Sequence, residues 1–162
     1  MSKKTLFTIV LVFVIIFLGY KYMQKDDGVE EEKTPEQIEQ EEQVAQEAEE
    51  NAREIIMLAA AQQMNDLSPH ETIGKWFPVK FWFDRNDTDN QYVYIDYEDG
   101  HMMYRMLTEV LEVDNGLEFS IIGKFESGDE EWELTEGEDY LYGKVFDIYN
   151  WNPDTNHSVK VN

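Results

Sequence analysis

Three histidines, one oxygen-rich loop and one row of aromatic rings are the places where this sequence could do chemistry. His70, His101 and His157 lie far apart, and none stands in a spacing such as His-Glu-x-x-His, which sets two imidazoles on one helix face to hold a metal. Cysteine is absent, which removes thiolate ligands, Cys nucleophiles, disulfides and an acylated lipoprotein-type Cys together. Asp and Glu number 35 in 162 residues, so almost any fold would juxtapose some of them and a carboxylate pair points to nothing. The expectation is a protein with no catalytic residue, not an enzyme.

The oxygen-rich loop is Asp84-Arg85-Asn86-Asp87-Thr88-Asp89-Asn90. Calcium takes about six to eight oxygen ligands, and loops with Asp or Asn at alternate positions can wrap them around one ion. Asp84, Asn86, Asp87 and Asp89 are therefore candidate calcium ligands, with Asp154 and Asn156 as further oxygens. The central Gly and distal Glu of an EF-hand are missing, Arg85 lowers the negative potential, and Asp and Asn are equally the residues of an ordinary turn. No cofactor other than calcium has any residue pattern to support it.

The rings form the second candidate. Trp82, Tyr92, Tyr94 and Leu107 project from one sheet face together with Lys80 and Arg105. Flat rings beside polar groups bind sugars or anchor protein partners, which makes Trp82, Tyr92, Tyr94 and Arg105 a candidate ligand or partner surface. The competing expectation is a covering layer of the protein's own chain, formed by the C-terminal segment around Trp151.

These side chains must be positioned by strands. From Trp76 onward apolar residues alternate, and Asp99-Gly100 and Asn115-Gly116 each favour a two-residue hairpin turn that fixes register. The first turn pairs Met106 with Val93, Tyr104 with Ile95 and Met102 with Tyr97; the second pairs Met106 with Phe125, Val110 with Ile121 and Glu112 with Phe119. Both place one apolar face on the same side of three strands. Val79, Phe81 and Phe83 suggest an earlier strand, Tyr140 to Tyr149 a later one, and Trp132 with Leu134 a short one between. Upstream, Thr34, Pro35 and Gln37 form a capping box and first turn, and a helix is expected over 34–66. Ile55 to Ala61 is apolar on every side and should be covered by the sheet, whereas the seam Ile38, Ala45, Ala48, Ala52, Ile55 is too thin and alanine-rich to hold a coiled coil. The fold class expected is α+β: an N-terminal transmembrane helix, a long acidic helix, then an antiparallel β-meander of five to six strands with the helix packed on one face. Helix plus meander resembles in outline the cystatin-like and NTF2-like domains, and an anchored helix on a sheet resembles the pilins. No residue motif supports either, and the pilin-type glutamate and processing site are missing.

The head of the chain reads as an anchor. Leu6 to Tyr20 is apolar except for Thr8, and residues 5–23 would extend about 28 Å as a helix, close to a bilayer core of about 30 Å. Gly19-Tyr20-Lys21-Tyr22-Met23 puts bulky residues where a signal peptidase needs small ones, so the segment reads as an uncleaved signal anchor. The expected organisation is 1–25 anchor, 26–33 acidic flexible linker, 34–66 helix and 67–162 extracytoplasmic β domain, with the N-terminus cytoplasmic. The formal charge is −22; the head carries four lysines and no acid, while 26–66 hold 14 acids against Lys33 and Arg53. Such a surface repels nucleic acid and anionic headgroups. The expectation is a noncatalytic, single-pass, membrane-anchored protein of the cell envelope with an interaction or assembly role, a protein partner and a monomeric soluble part. The alternative is an extracytoplasmic module that binds calcium or glycan.

Overall fold

The computed structural model describes residues 34–129 and 131–161. The expected anchor, at 5–23, and the linker, at 26–33, lie outside the described residues. Among the described residues no helix is long and apolar enough to cross a membrane. The chain divides into two units, Met1–Glu41 and Glu42–Asn162; of the first, the described part is the capped start of the helix.

Helix α1, Pro35–Leu67, starts where the sequence says it should. Thr34 N–H donates to Gln37 Oε1 at 3.0 Å and Gln37 N–H returns to Thr34 Oγ1 at 3.4 Å, the reciprocal capping box. It ends before Pro69, whose ring and missing N–H forbid another turn. Arg53, Ile56, Met57, Ala60 and Met64 form its buried stripe, at the i, i+3, i+4, i+7 spacing of a helix laid on a sheet.

Seven antiparallel strands follow: β1 Phe77–Asp84, β2 Tyr92–Glu98, β3 Met103–Val113, β4 Gly116–Ser127, β5 Trp132–Gly137, β6 Phe146–Asn152 and β7 His157–Lys160. Their order across the sheet is β5-β4-β3-β2-β1-β6-β7. This is more than the expected meander of five to six strands. After β5 the chain crosses the outer face of the sheet to add β6 and β7 beside β1, so residues 138–145 become a cover for that face.

Both hairpin registers differ from the sequence expectation by two positions. Met106 lies opposite Ile95, and Tyr104 opposite Tyr97. The first turn is a four-residue loop because Asp99 Oδ1 accepts the N–H groups of both His101 and Met102 at 2.9 Å, while Thr72 donates to its Oδ2. That draws Met102, expected in the core, into the loop, where it is exposed. At the second hairpin Asp114-Asn115 is the turn and Val113 lies opposite Gly116. Because side chains alternate with period two, a shift of two keeps every residue on its face. Val93, Ile95, Tyr97, Tyr104, Met106, Val110, Phe119 and Ile121 all join the core under α1.

Phe125 does not. A bulge in β4 at Ile122 leaves Leu107 opposite Gly123 and Thr108 opposite Ile121, and one extra residue reverses the parity of everything beyond it. Lys124 therefore faces Met106, and Phe125 faces Arg105 on the outer side. The bulge is held by the Glu138 N–H, which donates to the Ile122 carbonyl at 3.1 Å. Gly137, at φ +88°, allows this approach: a Cβ there would stand 1.9 Å from that oxygen.

The helix side is also corrected. Ile55, expected under the sheet, is 62 % exposed, whereas its neighbours Ile56 and Met57 are buried. At about 100° per residue, Ile55 points roughly 150° away from the centre of the stripe that Ile56 and Met57 share, so it falls on the solvent side. Trp151 belongs to this inner core, its ring edge-on to Phe81 at 5.9 Å, and does not cover the outer face.

Candidate functional site

On the outer face, three of the four residues expected to form a contact surface come together. Even-numbered residues of β1 and β2 and odd-numbered residues of β3 share this side, so Trp82, Tyr94, Asp96 and Arg105 stand in adjacent rows. The Arg105 guanidinium carbon lies 4.5 Å from the ring centre of Trp82, 5.2 Å from Tyr94 and 5.0 Å from Trp132. Its Nε and one terminal nitrogen grip Asp96 at 2.6 and 3.1 Å, and the Trp82 indole N–H donates to the same carboxylate at 3.0 Å. A guanidinium stacked on rings and forked to a carboxylate is rigid, because both its planar faces and its donor edge are fixed. Tyr92 is not part of this group; its ring lies at 5.4 Å from Tyr140, to one side.

Beneath Arg105 is a small second core of Tyr94, Leu107, Phe125 and Leu141. Leu141 comes from the crossing segment, so the cover expected from the C-terminal part is supplied by residues 138–145 instead. Asp139 of the same segment accepts the Tyr94 hydroxyl and the Leu141 N–H. Burial, then the hydrogen bond and negative charge of Asp139, push the Tyr94 hydroxyl far above its ordinary range. Tyr94 is therefore a neutral donor that pins the crossing segment to the sheet.

The cover is incomplete. Between it and β5 remains an open groove of about 540 Å³ whose lining includes Lys80, Trp82, Met103, Arg105, Trp132 and Tyr142. Tyr142 is 86 % exposed and Met103 43 % exposed, so apolar surface is presented around a charged, ring-framed centre.

Two of the three carboxylates of the oxygen-rich loop, Asp84 and Asp87, are engaged within the protein. Asp84 Oδ1 accepts the Asn86 N–H at 3.0 Å and its other oxygen meets Lys144 at 3.2 Å. Burial alone would raise the Asp84 carboxyl, but the Asn86 backbone and Lys144 outweigh it and hold it below the ordinary range. Asp87 accepts the N–H groups of Asp89 and Gln91 with its two oxygens, both at 3.1 Å. Asn86 and Asp89 lie in this same turn, which Asn90 closes at φ +51°. Among the described residues no group of three or more His, Cys, Asp or Glu is arranged to hold a metal ion.

Sequence reasoning missed Arg53. Only 1 % exposed, it donates Nε to Asn90 Oδ1 at 2.8 Å and Nη1 to Asp147 Oδ2 at 2.7 Å, and its ion pair with Glu49 is 2.5 Å long. Burial alone would lower its pKa; the hydrogen bonds that it donates to Tyr149 and Asp147 and the charge of Glu49 raise it instead. It thus joins α1 to β6 and to the turn before β2. The signal was present: Arg53 is a lone cation in an acidic helix and stands in the stripe of Ile56, Met57 and Ala60. The histidines remain apart in role: His70 stacks on Tyr104 with ring centres 3.8 Å apart, His101 is in the β2–β3 loop, and His157 opens β7.

The fold and surface thus define an α+β protein in which one helix covers one face of a seven-stranded antiparallel sheet and a crossing segment half-covers the other. Compared with known proteins, the chain matches no family model, no curated protein and no solved structure.

Proposed function

We propose that this is a noncatalytic, single-pass membrane-anchored protein whose extracytoplasmic domain serves as an interaction or assembly component of the cell envelope, with the half-covered sheet face as its contact surface. The observation that carries the reading is the groove at Arg105. Trp, Tyr and Arg are the residues that anchor protein interfaces, and here Trp82, Trp132 and Arg105 are prepositioned, with Tyr142 and Met103 exposed beside them. Prepositioned side chains lose little entropy on binding. The apolar stretch from Leu6 to Tyr20 supports the anchor, and the lysine-bearing, four-residue head before the long acidic part supports export of the C-terminus.

A photo-crosslinking amino acid at position 142, in the full chain in its native membrane, tests the contact surface. A discrete adduct that Met103→Asp abolishes is the expected result; the same adduct pattern with and without that substitution refutes it. External protease on intact cells should remove the acidic domain and leave the anchor, and full protection would reverse the orientation. A glycan-binding reading uses the same groove, because the exposed Tyr142 ring stands near Lys80 and Asp96. Calorimetry with a glycan panel, with calcium as a second arm, separates it: heats lost in Tyr142→Ala favour glycan, and no heats favour a protein partner.

A further inference from the structure

A second groove lies on the other side of the molecule, between α1 and the edge strand β7. Two adjoining cavities of about 600 and 340 Å³ share Asn51, Glu54, His157 and Ser158 in their walls. The helix contributes Glu47, Glu50 and Glu54 at one end and Ile55 and Leu58 at the other, where Trp151 forms the floor. Ile55 and Leu58 are 62 % and 41 % exposed, an apolar end to an otherwise acidic trough.

The opposite wall is a strand edge. The Val161 N–H donates to the Ile148 carbonyl at 2.9 Å, which makes that pair a hydrogen-bonded one. Hydrogen-bonded pairs alternate in an antiparallel ladder, so Val159 and His157 also bond β6, while the backbone groups of Ser158 and Lys160 point away from it. β7 is the last strand of the sheet, and among the described residues nothing pairs with that edge. Such an edge is a template for one more strand.

The charges choose the occupant. Glu47, Glu50 and Glu54 face the groove from α1, and from β7 come His157 and Lys160, the latter held by Asp147 at 3.1 Å. Negative charge is left over on the helix wall. A second copy of this chain, at −22, would be repelled, which leaves a cationic segment from another protein. From the free edge, the apolar end and the acidic wall we infer that the α1–β7 groove binds an extended, Lys- or Arg-rich segment of a partner protein as an eighth strand, with one bulky apolar side chain between Ile55 and Leu58. This surface is independent of the groove at Arg105.

The test uses the full chain in neutral detergent and a fluorescent peptide of alternating Lys and Val with one Leu, read by anisotropy. A matching peptide carries N-methyl groups on alternate residues, which removes strand-forming donors without changing charge. Binding should be saturable, weaken about tenfold or more in Glu50→Lys/Glu54→Lys, be lost with the N-methylated peptide, and slow the hydrogen exchange of the Ser158 and Lys160 amides. Tyr142→Ala should leave it unchanged, so failure here and failure of the outer-face reading remain separate. No binding overturns the inference. So does binding that ignores N-methylation, which would mean attraction to an acidic surface alone, or binding that survives the double lysine substitution. The substituted glutamates are exposed, and an unchanged circular dichroism melt verifies that each variant is folded.

Discussion

Removing Arg53 should cost as much stability as emptying an apolar core position of α1, and the cost can be worked from its partners. Arg53→Ala leaves Asp147 without its shortest cation, although Arg85 at 3.1 Å and Lys160 at 3.1 Å remain. Breaking a buried pair outright costs about 3–5 kcal/mol. The two residual cations are half to one-third exposed and place the charge contribution at the low end of that range. Asn90 Oδ1 and the Tyr149 hydroxyl also lose a donor, which adds about 1 kcal/mol. The expected total is about 4 kcal/mol, or a melting shift on the order of 15 °C for a unit of this size. Arg53→Met loses the guanidinium that lies over the Phe83 ring but keeps an apolar stem in the buried space, and should cost about 1 kcal/mol less. Urea unfolding followed by tryptophan fluorescence measures this directly, with the slope unchanged and the midpoint lowered. The acid limb adds a signature. Burial would raise the Asp147 carboxyl, but Arg53, Lys160 and Arg85 hold it below its ordinary value of 3.8, so its contribution is complete above that value and lost as pH falls through the depressed folded one. Without Arg53 the depression is smaller, so the part of the acid limb that belongs to Asp147 should be shallower. If Arg53→Ala unfolds at the parent midpoint with the parent acid limb, the buried ion network does not hold helix to sheet.

Two helix positions two residues apart give a sharper contrast: Met57→Ala should cost about 2–5 kcal/mol because Met57 is fully buried, while Ile55→Asp should leave the melt unchanged, and equal effects would misplace the helix face. Gly137→Ala should destabilise the β4–β5 pairing by about 1–3 kcal/mol, since φ +88° and the Ile122 carbonyl both exclude a Cβ; parent-like denaturant midpoints would refute the close approach. His70 adds a dependence nearer neutrality: burial, against the opposing pull of Glu126, lowers its pKa below 6.5, so stability should be complete above about pH 6.5 and fall as pH drops below it. Urea midpoints at pH 7.5 and 5.5 should differ more for the parent than for His70→Phe, and identical differences would remove His70 from the balance.

The candidate contact surface was largely legible because it rests on alternation alone. Trp82, Tyr94 and Arg105 share a side whatever the register, provided that it shifts by an even number of residues. Tyr92 shares that side too, but how far it stands along β2 from Arg105 depends on register, and it ends beside Tyr140. Trp132, Asp139 and Tyr142 were out of reach for a different reason: they arrive from β5 and the crossing segment, whose path depends on which sheet edge β6 joins.

By itself the sequence determined what is local: the Thr34 capping box, the stop before Pro69, the alternation that splits each strand into two faces, and the excess of acid on the helix. These follow from forces that act within a few residues, so no distant partner is needed to read them. Only the tertiary structure decided that Asp99 would widen its turn, that Ile122 would bulge and send Phe125 to the outer face, and that Arg53 would be buried among Asn90, Asp147 and Glu49. The bulge and the buried arginine depend on groups brought together from far along the chain, and the Asp99 carboxylate, though it caps its own turn, is also held by the distant Thr72. The Glu138 N–H that holds the bulge and the carboxylate that makes a buried guanidinium affordable exist in the right place only after the sheet has formed.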